Sequence, residues 1–82
     1  MGLNISERVA SIIQDTLQVS RSEFAQTENL IELGMTSLSF VKLIVLLETE
    51  FNIEFDDDDF LMDKFEFLDD FVSYVQKKIN TQ

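Results

Sequence analysis

Apolar residues recur along the first eighteen positions at the spacing of one helical face. Ile5, Val9, Ile12, Ile13 and Leu17 line up, and Glu7, Arg8, Ser11, Gln14 and Asp15 fall on the other side. The pattern predicts a first helix from about Ile5 to Gln18, opened by Asn4 with Glu7 three positions on as a capping box. The next stretch, VSRSEFAQTENLIELGM, has no sustained period. It reads as a long loop pinned to a core by Phe24, Leu30, Ile31 and Leu33, with a helical turn near Ser22–Ala25. A connection of that length in a compact domain is commonly functional. After Gly34, SLSFVKLIVLLETEF predicts a helix over Ser37–Phe51, and DDDDF predicts a short one over Asp57–Met62, where carboxylates suit the positive end of a helix. FLDDFVSYVQKKI predicts the closing helix, with Phe67, Leu68, Phe71, Val72, Val75 and Ile79 on its buried face and Lys77 and Lys78 in its last turn. The architecture expected is all-α: a small four-helix bundle of three main helices and a short third one, forming one domain over residues 1–82.

The helix over Ser37–Phe51 carries two apolar stripes. Phe40, Leu43, Ile44, Leu47 and Phe51 form a core face, while Leu38, Val41 and Val45 lie roughly opposite, flanked by Lys42, Glu48 and Thr49. A helix central in a bundle is apolar all round. With so few substantial helices available to surround this one, an exposed strip that docks a partner is the favoured reading. Thr36 and Ser37 open the helix, and one capping side chain suffices. Either can serve, and on local grounds the two assignments are even. If Thr36 caps, the Ser37 hydroxyl is left at a helix N-terminus, where a phosphate ester is well accommodated.

Charge and composition narrow the function. Sixteen acidic residues against six basic ones give a net charge of -10, which disfavours nucleic acid and anionic membranes and favours a protein partner with a basic patch. No segment is long and apolar enough to span a bilayer, and the expected location is the cytoplasm. MGLNIS fits a myristoylation pattern and contains an NIS sequon, but helix capping by Asn4 accounts for the same residues. The chain has no Cys and no His, so the most reactive nucleophile and the commonest general base and metal ligand are missing. Ser37 and Lys42, five positions apart, point in different directions on a helix, so they do not form a catalytic pair. The aspartate run lacks the glycine and alternating ligands of a calcium loop. No catalytic residue and no metal site are expected.

ENLIELGMTSLSFVKLIVLLETEFNIEF resembles the central motif of acyl carrier proteins and peptidyl carrier domains, in which a Leu-Gly-x-Asp-Ser-Leu segment opens the second long helix. The likeness in element order extends over almost the whole chain. It implies a non-enzymatic carrier in which Ser37 bears 4'-phosphopantetheine, attached covalently from coenzyme A by a phosphopantetheinyl transferase. The arm would hold an acyl or aminoacyl group as a thioester. Further partners implied are a loading ligase and a downstream synthase or transferase, with the carrier itself a monomer. Thr36, Leu38, Val41, Lys42, Val45, Glu48, Ile53 and Phe55 fall where the family meets its partners. Thr36 stands where the family usually has Asp, and Lys42 where fatty-acid carriers have an acidic residue. These departures point to a freestanding carrier of a specialised pathway, such as nonribosomal peptide, polyketide or siderophore assembly. The alternative is an acidic helical interaction module that docks a partner without a prosthetic group.

Overall fold

The computed structural model describes residues 4–27, 29–59 and 61–81, the side chains at 59 and 81 excepted. Among these residues four α-helices form: α1 Ile5–Leu17, α2 Arg21–Gln26, α3 Ser37–Phe51 and α4 Leu68–Thr81. The long α1 and α3 fall on the two spans their periodicity predicts. Asn4 caps α1 by accepting the Glu7 N–H at 2.8 Å. The full reciprocal box forms instead at α2, where the Ser20 hydroxyl accepts the Glu23 N–H and the Glu23 carboxylate accepts the Ser20 N–H. That box makes a defined six-residue helix of what the sequence suggested only as a turn. The lipidation pattern falls on Met1 and Gly2, which lie outside the described residues.

α1 packs against both α3 and α4. Val9 and Ile13 from α1, Leu43, Ile44 and Leu47 from α3, and Phe71 and Val75 from α4 meet in the interior, with almost no exposed surface. An aromatic cluster closes one side of this core. Phe65 stacks on Phe71 at a centroid distance of 4.7 Å, and Phe55 stacks on Tyr74 at 4.5 Å. Tyr74 also accepts the Asp56 N–H, and Lys78 reaches Asp56 at 2.8 Å, so the segment after α3 is fastened to the last helix. The hydrogen bond that Lys78 donates to the Asp56 carboxylate raises the Lys78 pKa above its ordinary value.

Three expectations change. The short helix over Asp57–Met62 is replaced by two single 3-10 turns, Asp57–Asp59 and Met62–Lys64, with Phe60 outside the described residues. Adjacent aspartates repel and are poor helix formers, and so short a segment cannot recover the cost of helix nucleation. Phe67, expected on the buried face of the closing helix, is 48% exposed. It sits just ahead of α4, paired as an isolated antiparallel bridge with Asn29, while the Asp70 carboxylate accepts the Glu66 and Phe67 N–H groups. Its side chain therefore does not follow the helical periodicity. Ile79, expected on the same face, is exposed because the last turn of α4 runs past the core.

Candidate functional site

The segment leading into α3 is built from side-chain caps and one turn that needs glycine. Thr27 Oγ1 accepts the Asn29 N–H, and Asn29 Oδ1 in turn accepts the N–H groups of Ile31 and Glu32 at 3.0 and 3.1 Å. Such local bonds replace secondary-structure pairing in a loop. The Leu30 N–H donates to the Glu66 carbonyl at 2.8 Å, and the Met35 N–H donates to the Leu30 carbonyl at 2.9 Å. Between them Gly34 takes φ +101, a left-handed conformation that disfavours any Cβ. Leu30 and Met35 are buried, so the loop is anchored on both sides of this turn.

The two hydroxyls that follow have different environments. Thr36 is the N-cap, with extended backbone, and its Oγ1 accepts the Ser39 N–H at 3.2 Å and lies 3.2 Å from the Ser39 hydroxyl. Ser37 is the first helical residue and is exposed, and its hydroxyl makes no hydrogen bond to any described residue. The assignment that was even on sequence grounds is thus resolved, with Thr36 as the cap. The first-turn N–H groups of a helix lack intrahelical acceptors, and Thr36 satisfies only that of Ser39. α1, α2 and α4 each place a carboxylate in the first turn, whereas α3 places none. An anion attached to Ser37 would meet a favourable dipole and no fixed like charge in that turn. The residues present fit a phosphodiester.

Below Ser37 the second stripe of α3 is open to solvent: Leu38 is 67% exposed, Val41 50% and Val45 53%. Lys42 is exposed beside them, and among the described residues it makes no ion pair. Glu48 is half-buried, and its carboxylate accepts the Phe55 N–H at 2.8 Å, so it fastens the chain as it leaves α3. Ile53 and Phe55 do not lie on the docking face the sequence reading gave them. They are 4% and 5% exposed. The chain turns back after the left-handed C-cap Asn52 and drives both side chains into the core. Exposed apolar residues outside that reading include Leu46 on α3 and, in the connecting segments, Ile31 and Leu61. Helical periodicity carries no signal for Ile31 or Leu61.

The geometry defines a class: a small helical scaffold that presents one unengaged hydroxyl at a helix start, above an exposed apolar strip. Comparison with known proteins is consistent with it. Residues 7–75 match the family described as "Phosphopantetheine attachment site". Among curated relatives, the acyl carrier protein of Nitratidesulfovibrio vulgaris (strain DSM 19637 / Miyazaki F) is 36% identical over 77 residues, covering 93% of this chain and 99% of the relative. The acyl carrier protein of Thermotoga maritima is 38% identical over 76 residues, 92% of this chain and 91% of the relative. That of Buchnera aphidicola subsp. Acyrthosiphon pisum (strain Tuc7) is 34% identical over 76 residues, 92% of each. The chain belongs to the phosphopantetheine-bearing acyl carrier protein family. Its members carry 4'-phosphopantetheine covalently and are carriers, not catalysts. They work with phosphopantetheinyl transferases and acyl-processing enzymes. Among the described residues no helix is long and apolar enough to cross a membrane, and no three acidic side chains gather where they could hold a metal ion.

Proposed function

We propose that Ser37 is the attachment point and that the chain, as a single monomeric carrier domain in the cytoplasm, presents its loaded arm to partners along the exposed stripe of α3. One observation carries the reading: Thr36 takes the cap, leaving the Ser37 hydroxyl exposed and unengaged at the helix start. In the transfer, Ser37 Oγ forms a phosphodiester with the phosphopantetheine phosphorus of coenzyme A. Adenosine bisphosphate leaves, and the hydroxyl proton passes to the transferase. The arm supplies the thiol for thioester chemistry, which this cysteine-free chain cannot supply itself. The chain's own residues hold the serine outward and keep its helix end open to the phosphate.

The cargo we infer is an acyl or aminoacyl group of a specialised pathway, of the nonribosomal peptide, polyketide or siderophore kind. The neutral cap Thr36 and the cation Lys42, set against the acidic residues of general fatty-acid carriers, support that reading. The names of the relatives support an acyl cargo. Incubation with coenzyme A and a broad-specificity phosphopantetheinyl transferase, read by intact-protein mass, is expected to add one arm. Ser37→Ala is expected to add none, while Ser39→Ala still takes the arm. Full loading of Ser37→Ala would sink the assignment, and a Ser37→Ala protein that retains its function in cells would favour a docking module without a prosthetic group.

A further inference from the structure

The chain as a whole is strongly acidic, but one edge of its docking face carries a cation. At -10, the molecule as a whole calls for a basic partner. Yet the two carboxylates in the second half of α3 are committed elsewhere: Glu50 pairs with Arg8 of α1, and Glu48 accepts the Phe55 N–H. The first turn of α3 has no acidic residue. Thr49 is turned back on its own helix, its hydroxyl donating to the Val45 carbonyl at 3.0 Å. The one ionised side chain of α3 left without a partner among the described residues is Lys42, beside Val41 and Val45. The exposed acids Glu54, Asp57 and Asp58 belong to the segment after α3, which passes on the Glu48 side. On the helical wheel Lys42 and Glu48 flank the stripe on opposite edges.

Range decides which charge a docked partner meets. At physiological ionic strength fields decay over about 8 Å, so distant carboxylates guide approach while adjacent groups set the fit. We propose that partner enzymes, the arm-transferring enzyme included, grip α3 through an apolar recess edged by an aspartate or glutamate that pairs with Lys42. The recess takes Leu38, Val41 and Val45, and the carboxylate fixes the rotational setting of the helix. The proposal rests on Ser37 being the attachment point and adds the chemistry of the surface that reads it.

The test is steady-state arm transfer by the phosphopantetheinyl transferase of the cell that makes this chain, with saturating coenzyme A and varied carrier. Lys42→Glu is expected to raise KM about tenfold with little change in kcat, the effect of placing like charges in contact. Lys42→Arg should behave as wild type. Rising salt should raise the wild-type KM more than that of Lys42→Ala. Circular dichroism should show all three variants folded, since the site is exposed. A KM that falls or stays level in Lys42→Glu, with wild type loading normally on Ser37, overturns this inference and leaves the attachment site standing. Wild type that takes no arm at all overturns both. A wild-type dimer in sedimentation that Val45→Asp dissolves would place a second copy on the strip and also overturn it.

Discussion

Leu43 and Val45 stand two positions apart in α3 and are both branched aliphatic residues, yet the first is wholly buried and the second half exposed. The same holds for the stripes they belong to. Phe40, Leu43, Ile44 and Leu47 fit between α1 and α4, while Leu38, Val41 and Val45 keep half or more of their surface in water. Hydrophobicity alone therefore does not distinguish a residue that holds this molecule together from one left on its surface. What separates them is whether another element of the same chain covers them. A contiguous apolar strip left uncovered on a small acidic protein lowers solubility and contributes little to folding, and a docked partner would bury it.

Three substitutions would break or sharpen the contrast, in order of their effect on stability. Leu43→Ala removes a side chain from the close-packed interior and is expected to lower unfolding free energy by about 2–5 kcal/mol. Chemical denaturation monitored by circular dichroism measures it directly. Thr36→Ala acts where the two stripes begin. Loss of the cap on Ser39 should cost about 1 kcal/mol while Ser37 still takes an arm, because the cap and the proposed attachment hydroxyl are separate groups. Failure of Thr36→Ala to load, with its fold intact, would show that the two roles are not separable. Val45→Asp should change stability by less than about 0.5 kcal/mol, since an exposed position tolerates charge, yet it should slow arm transfer. A loss as large as that for Leu43→Ala would mean that the second stripe belongs to the core and that no docking face exists there.

Periodicity made α1 and α3 legible to within a residue, because both helices bury one continuous face and their caps are local. It also separated the two stripes of α3, and the structure leaves the second of them open. The errors cluster where the chain leaves regular structure. Ile53 and Phe55 follow a helix whose exposed face they seemed to extend, but the left-handed Asn52 and the bond from Phe55 N–H to Glu48 reverse the chain and bury them. Phe67 fits the period of α4 in sequence, but it lies in a bridge opposite Asn29, some forty positions earlier, with its N–H taken by Asp70, so the helix begins one residue too late to turn it inward. The second outcome depends on a contact between distant parts of the chain, which a local pattern does not contain, and the first on a chain reversal that helical periodicity does not register. The choice between Thr36 and Ser37 was a different case. On local grounds each had the right chemistry and only the family resemblance favoured Ser37; the position of one oxygen against the Ser39 N–H makes Thr36 the cap.

The bridge between Asn29 and Phe67 bears on how a loaded carrier would work. Through the bonds from Leu30 to Glu66 and from Met35 back to Leu30, the residues just ahead of Ser37 are braced against the base of α4 instead of hanging between two helices. A pull exerted on Ser37 is thus shared by the first turn of α3 and the start of the last helix. With the arm on Ser37, that bracing would set where the tether begins, so a partner that seats the start of α3 would also set the centre of the volume the cargo can sweep.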